Sequence, residues 1–194
     1  MPDGEIILFV AGGSLLLLLV WVIATYNRFV RLRQYLWESW ADIDVELKRR
    51  YDLIPNLVET VKGYAAHERE TLEAVVRLRN EAMAHMGQAA TTLRAEDAAQ
   101  VATALRRVIA LAESYPQLKA DRHFLELQRE LALTEDRIAA ARRFYNANVR
   151  DFSQLRDMFP SSLIASMFGV SERPEYFELT VEAERQPVGV GLGR

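Results

Sequence analysis

The chain of 194 residues contains no cysteine, and this absence excludes several kinds of chemistry. It rules out disulfide frameworks, thiolate nucleophiles, and zinc or iron–sulfur sites built on cysteine ligands. It does not distinguish a reducing compartment from an oxidising one. The location of the protein therefore has to be read from other features of the sequence.

The sequence also lacks the histidine and glycine motifs of common catalytic sites. It has three histidines, and His67-Glu68 is followed by Thr71 where a zinc-protease helix would need its second histidine. No Glu-x-x-His pair of a di-iron bundle is present, and no glycine-rich loop precedes a helix. We predict no catalytic residue, no metal site, no cofactor and no enzyme activity.

Neither sign of charge predominates in the sequence. The net charge is -3, and arginine pairs such as Arg49-Arg50 alternate with acidic residues instead of forming a basic run. This pattern is not typical of a nucleic-acid-binding surface, so we predict no nucleic-acid partner. Half of the residues are apolar and 26% are charged, which suits one packed domain with additional segments.

A long uncharged segment lies near the N-terminus. Residues 6–26 contain no charged side chain, and as a helix they would be ~31 Å long, about the thickness of a bilayer core. Asp3 and Glu5 precede the segment, unlike the basic start of a signal peptide. We interpret residues 1–26 as a transmembrane anchor. The alternative is a buried helix of a soluble protein.

The charges that flank this segment predict its orientation. Arg28, Arg31 and Arg33 follow it, whereas no lysine or arginine precedes it. Basic residues favour the cytoplasmic side of a membrane. We therefore expect a single-pass protein with its N-terminus outside and the remainder in the cytoplasm.

Two seven-residue repeats dominate the remainder of the chain. Such repeats predict helices that pack along one stripe against partner helices. The second repeat spans residues 124–159, at Phe124, Leu127, Leu131, Thr134, Ile138, Ala141, Tyr145, Asn148, Phe152, Leu155 and Phe159. The first spans residues 36–64, at Leu36, Trp40, Ile43, Leu47, Arg50, Ile54, Leu57, Val61 and Tyr64. Its phase is the same on both sides of Pro55, which favours one kinked helix ending at Gly63.

Between the two repeats we predict two shorter helices, separated by a loop at residues 87–92. Asp121 is a suitable N-cap for the last long helix. The predicted fold is all-α: an antiparallel four-helix bundle of two long and two shorter helices over residues 27–160, preceded by the transmembrane helix. Residues 161–194 would form a short membrane-proximal helix and an extended tail.

Arg50 is the unusual member of the first stripe. In an antiparallel arrangement it would lie opposite residues 135–137, so we predict an ion pair between Arg50 and Glu135 or Asp136. A buried pair of this kind sets the register of helices more than it stabilises them. In the alternative, Arg50 lies at the edge of the stripe with its guanidinium in water.

The last helix would return the chain to the membrane. Pro160 ends it, and residues 163–168 then form one or two apolar turns that end at Gly169. We predict a membrane-proximal surface of Arg28, Arg31, Arg33, Leu163, Ile164, Met167 and Phe168. The apolar turns would either touch lipid or close the end of the bundle as a lid.

Specific motifs carry a resemblance to a known family. They are Tyr26-Asn27-Arg28-Phe29-Val30-Arg31-Leu32-Arg33, Trp40-Ala41-Asp42-Ile43-Asp44-Val45-Glu46-Leu47-Lys48-Arg49-Arg50-Tyr51-Asp52-Leu53-Ile54-Pro55-Asn56-Leu57-Val58, Thr134-Glu135-x-Arg137-Ile138, Arg142-Arg143-Phe144-Tyr145-Asn146 and Phe159-Pro160-Ser161. Over nearly its whole length the chain resembles the LemA family of bacterial membrane proteins. The resemblance implies an anchor with its N-terminus outside, a cytoplasmic helical bundle at the inner membrane, no enzyme activity and no settled molecular function.

Three functional hypotheses follow. The favoured one is a non-enzymatic, membrane-anchored scaffold or adaptor that binds an unknown protein, which could be a second copy of itself. The alternative is a membrane-shaping or lipid-interacting protein that acts through self-association. The weakest is a hydrolase or metal protein with an unrecognised site in the bundle.

Overall fold

The computed structural model describes residues 2–87 and 91–178, and there the chain is all-α, without strands. Its helices are α1 (Pro2–Lys62), α2 (Arg69–His85), α3 (Thr91–Leu111), α4 (Pro116–Lys119), α5 (Arg122–Asp157) and α6 (Ser161–Met167). A 3₁₀ turn (Ala112–Ser114) follows α3.

The helix α1 runs without interruption through Pro55, as the constant phase of its repeat predicts. Proline lacks an N–H, so one backbone hydrogen bond is absent there, and Pro55 is exposed. The helix ends one residue before Gly63, where the N–H groups of Tyr64 and Ala65 both donate to the Val61 carbonyl. Tyr64 is exposed and lies beyond the helix, so its assignment to the buried stripe is wrong.

The chain divides into two compact units. Unit 1 contains the segment up to Ala41 together with Arg143–Pro174, and unit 2 contains Asp42–Arg142 and the segment that begins at Glu175. Both α1 and α5 contribute to each unit, because the division falls within these two helices.

In unit 1, the first part of α1 packs against the last part of α5. The rings of Phe29 and Phe152 meet edge to face at 6.0 Å, and those of Trp40 and Tyr145 lie 5.3 Å apart. From the first contact to the second, the residue numbers rise along α1 and fall along α5. The two helical segments are therefore antiparallel. The buried Asn148 donates to the carbonyl of Tyr35 at 3.2 Å, which satisfies a polar group in this core.

In unit 2, α2 and α3 pack against one another and contribute apolar stripes to the core. The buried residues of this part of the unit include Leu72, Val75, Val101, Leu105, Val108 and Ala112. On α1 the buried stripe is Ile43, Leu47, Arg50, Ile54, Leu57 and Val61. Met83 and Met86 are partly exposed, because α2 buries Ala82 instead. Three residues of the predicted loop, 88–90, lie outside the described residues.

The start of α5 is fixed by Asp121, as predicted. Its Oδ1 accepts the backbone N–H of Phe124 at 2.9 Å, and its Oδ2 accepts the hydroxyl of Tyr64 at 2.9 Å. The N–H of Phe124, followed by the Tyr64 hydroxyl, holds the pKa of Asp121 below its ordinary value of 3.8. A lowered carboxyl pKa stabilises the fold above the ordinary value, and this stabilisation is lost as pH falls through the lowered one.

This cap leads to a prediction that depends on pH. We expect Asp121→Ala to lower the melting temperature by a few degrees at neutral pH, because the backbone N–H of Phe124 and the hydroxyl of Tyr64 lose their acceptor. The difference from wild type should shrink as acid protonates Asp121. Circular dichroism melts across this pH range provide the measurement. Asp121→Asn is the control, since asparagine can cap a helix without a charge. If the melting temperature of this variant lies below that of wild type by the same amount at neutral and at acidic pH, the charge of Asp121 does not contribute to stability.

The helix α6 ends in a glycine-dependent motif. Gly169 has a φ of 68°, a left-handed conformation that costs glycine little. The N–H of Val170 donates to the carbonyl of Ala165 at 2.8 Å, which satisfies an orphan carbonyl of the short helix. The chain then continues without regular structure to Glu178, with Phe177 buried. The predicted tail beyond that residue lies outside the described part.

Candidate functional site

Unit 2 contains a buried arginine at its centre. Arg50 is 2% exposed, and its Nη1 donates to Glu135 Oε2 at 2.9 Å. Its Nη2 donates to the carbonyl of Ala98 at 2.9 Å, and the guanidinium lies 5.5 Å from the ring of Tyr51. One side chain of α1 therefore contacts both α3 and α5.

The structure brings two of the three residues of the predicted ion pair together. Glu135 accepts the hydrogen bond from Arg50, whereas Asp136, the other predicted acid, is exposed. The side chain of Glu135 is 49% exposed, so its carboxylate also contacts water. The guanidinium of Arg50 is therefore desolvated, whereas the carboxylate of Glu135 is desolvated only in part. This reduces the free-energy cost of desolvating the ion pair.

A second buried arginine was not predicted from the sequence. Arg94 is 3% exposed, and its two Nη atoms contact the two carboxylate oxygens of Asp44, with Nη1 to Oδ2 at 3.1 Å. This two-pronged geometry joins α3 to α1. A signal existed in the sequence, because Arg94 continues the stripe of Ala98, Val101, Leu105 and Val108 toward the N-terminus at alternating steps of four and three.

Polar contacts also tie α2 to its neighbours. Arg79 Nε donates to the carbonyl of Tyr51 at 3.2 Å, and His85 Nδ1 lies 2.8 Å from Asp97 Oδ2. Burial raises the pKa of the Tyr51 phenol, and the nearby Arg50 cation opposes that effect. In the part of the chain that the structure describes, no group of three or more histidine, aspartate or glutamate residues is placed to hold a metal ion.

A groove lies between the end of α1 and α2. Its volume is about 790 Å³, and its lining includes the apolar residues Val58, Leu72 and Val76. Charged and polar residues of both signs surround them: Lys62, Arg69, Glu73, Arg77, Asn80 and Glu81. An apolar floor with a mixed polar rim is the chemistry of a surface that binds an amphipathic helix.

The predicted membrane-proximal residues have different environments in unit 1. Leu163, Met167 and Phe168 are exposed by 60%, 66% and 48%, and Arg28 and Arg31 are also exposed. Ile164 is buried, so its assignment to this surface is wrong: α6 turns that side chain toward the core. Arg33 is partly buried, with its Nε 3.1 Å from Glu172 Oε2.

An aromatic contact joins the residue after α6 to α1. The rings of Phe168 and Tyr26 lie 4.8 Å apart, and Tyr26 is the last residue of the uncharged segment. The exposed Phe159 precedes α6, which shows that the buried stripe of α5 ends before this residue. The end of α6 therefore lies beside the end of the uncharged segment.

The uncharged segment itself makes few contacts. In α1 the residues from Gly4 to Trp21 are all exposed, and this helix is long and apolar enough to cross a membrane. The apolar side chains have no protein partner that covers them in this region of the described chain. A buried helix of a soluble protein would show the opposite pattern.

The sequence is similar to known proteins. The sequence is 24% identical over 197 residues to the magnetosome protein MamQ of Magnetospirillum gryphiswaldense, a match that covers 89% of this chain and 72% of MamQ. The LemA family profile matches residues 39–191, which include both buried arginines and α6. This protein belongs to the LemA family.

Proposed function

We propose that the protein is a non-enzymatic, membrane-anchored scaffold or adaptor. In this proposal residues 6–26 cross the bacterial inner membrane once, with the N-terminus outside, and the packed helices lie in the cytoplasm. The observation that carries it is that the start of α1 is exposed and uncharged, whereas the later part of the same helix packs against other helices. The arginines that follow the uncharged segment support the orientation.

We further propose that α1, α2, α3 and α5 form an antiparallel four-helix bundle. The contacts of Arg50 with α3 and α5, and of Arg79 with α1, are those expected in such a bundle. The buried Arg50 and Arg94 each join one helix to another. This use of charge favours a structural role for the core over a catalytic one.

The groove between α1 and α2 is the surface on which we expect a protein partner to bind. It combines apolar residues with charges of both signs. The two helices that form it are joined by the hydrogen bond from Arg79 to the carbonyl of Tyr51. Helix-in-groove recognition uses such surfaces, with the apolar floor providing affinity and the rim providing specificity.

Site-specific photocrosslinking in membranes tests this function. A photoreactive amino acid at Glu73, on the rim of the groove, should give one discrete adduct with a defined protein. The same amino acid at Arg107, an exposed position on α3 that does not line the groove, is the matched control. Identical adduct patterns at the two positions would contradict the adaptor role. An adduct between two copies of the chain would favour the alternative of self-association.

The second candidate function is a lipid-interacting or membrane-shaping protein, which the exposed apolar side chains of α6 favour. The relative MamQ is described as a magnetosome protein, and this description fits either candidate. Adducts confined to lipid and to a second copy of the chain would support this alternative over the adaptor.

A further inference from the structure

We propose that the end of α5 together with α6 forms a second contact with the bilayer that α1 crosses. The apolar part of this contact, here called the foot, consists of Phe159, Leu163, Met167 and Phe168. Arg28 and Arg31 would contact the phosphate groups of anionic lipids at its border. The proposal rests on the membrane anchorage proposed above and adds a second, interfacial site.

The geometry of unit 1 places the foot at the correct level along α1. Phe152 contacts Phe29, which is three residues past the uncharged segment. Since α5 is antiparallel to α1, its last turns after Phe152 extend ~8 Å further toward the start of α1. That distance brings the end of α5 level with the end of the uncharged segment. The contact of Phe168 with Tyr26 places α6 at the same level.

The helix α6 has two different faces. Ile164 and Ala165 are buried, and the hydroxyl of the buried Ser161 donates to the carbonyl of Leu155 at 2.6 Å. Leu163 and Met167 lie one turn apart on the other face and are exposed by 60% and 66%. A helix of seven residues is too short to be stable alone. The packing of its buried face against the rest of unit 1 therefore keeps Leu163 and Met167 facing outward.

The charges around the foot are compatible with an anionic lipid surface. Arg28 and Arg31 are exposed beside the uncharged segment. The nearby acids are already paired: Asp157 accepts from Arg156 at 2.8 Å, and Glu172 lies against Arg33. The two exposed arginines therefore add positive charge to this surface, as expected of a helix end that meets phospholipid head groups.

A bilayer explains the foot better than a protein partner because the foot is continuous with the uncharged segment. The exposed ring of Phe168 lies against Tyr26, where the proposed span ends. Any partner that covered Leu163 and Met167 would have to share this position with the lipid around α1. An aromatic and aliphatic surface at the level of the head groups is typical of interfacial contacts.

Spin labelling of the full-length protein tests the proposal, and the natural absence of cysteine makes every introduced thiol unique. Nitroxides are placed at Leu163→Cys and Met167→Cys in vesicles of phosphatidylcholine with phosphatidylglycerol. Collisions with oxygen, which concentrates in lipid, and with a water-soluble nickel chelate give the depth of each label. Phe144→Cys, exposed by 56% on α5 in the same unit, is the control in water, and Leu17→Cys reports on the span.

We expect labels at Leu163 and Met167 to be reached by oxygen and protected from nickel, with values between those of Leu17 and Phe144. Nickel access equal to that at Phe144, with Leu17 still in lipid, would overturn the foot and leave the anchor intact. Protection from both reagents would also overturn it, because it would show a protein cover. A water-exposed label at Leu17 would instead reject the anchor itself. Equal depth in vesicles without phosphatidylglycerol would overturn the role of Arg28 and Arg31.

Discussion

Replacing Arg50 with alanine should lower the free energy of unfolding by about 3–5 kcal/mol, because the guanidinium links three helices from a buried position. The carbonyl of Ala98 would lose its donor, and the space of the long side chain would be left empty or would collapse. Urea denaturation of the full-length protein in mild detergent, followed by circular dichroism, measures this loss.

Two control variants separate the effect of charge from that of volume. Arg50→Met fills most of the space without a charge, so we expect a smaller loss than with alanine. Glu135→Gln keeps an acceptor for Arg50 and sits half in water, which limits the expected loss to about 1 kcal/mol. If Arg50→Ala destabilised the protein no more than Glu135→Gln, Arg50 would not hold the helices together.

Placing two arginines in the uncharged segment should abolish membrane insertion. Each arginine at the centre of a span costs roughly 2.5–3.5 kcal/mol on translocon-based scales, so Leu16→Arg with Leu17→Arg would cost about 5–7 kcal/mol. Both leucines lie in the exposed part of α1, where no protein contact can compensate for the charges. The measurement is the fraction of the protein that stays in membranes after alkaline carbonate extraction.

The matched control for insertion is Leu133→Arg, an exposed leucine on α5. This variant should remain in the carbonate-resistant membrane fraction like the wild type, because residue 133 lies far along the chain from the span. Equal retention of the double-arginine variant would show that residues 6–26 do not anchor the protein.

The seven-residue repeats predicted the helices better than any other signal in the sequence. On α1 the repeat specified Ile43, Leu47, Arg50 and Ile54 as one buried stripe, and the structure buries all four. The reason is physical: a helix period fixes which residues share a face, whatever the helix packs against. The repeat was less informative at its ends, where Tyr64 and Phe159 are exposed because each lies beyond the end of its helix.

The partners of buried side chains were harder to predict. One assumption, antiparallel α1 and α5, placed Arg50 opposite Glu135 or Asp136, since both helices are long and their register can be counted. The pairing of Arg94 with Asp44 depends instead on the register of α3 relative to α1, which the sequence does not specify. In α6 a helix of two turns has too little periodicity to reveal that Ile164 faces inward.

The most direct test of the central claim, a chain that crosses the membrane once with its packed helices inside, uses single cysteines and a membrane-impermeant maleimide. In intact spheroplasts we predict labelling of Gly4→Cys, before the uncharged segment, and no labelling of Leu133→Cys, which is exposed on α5. After lysis both should react. Labelling of Leu133→Cys in intact spheroplasts, or protection of Gly4→Cys until lysis, would contradict this topology.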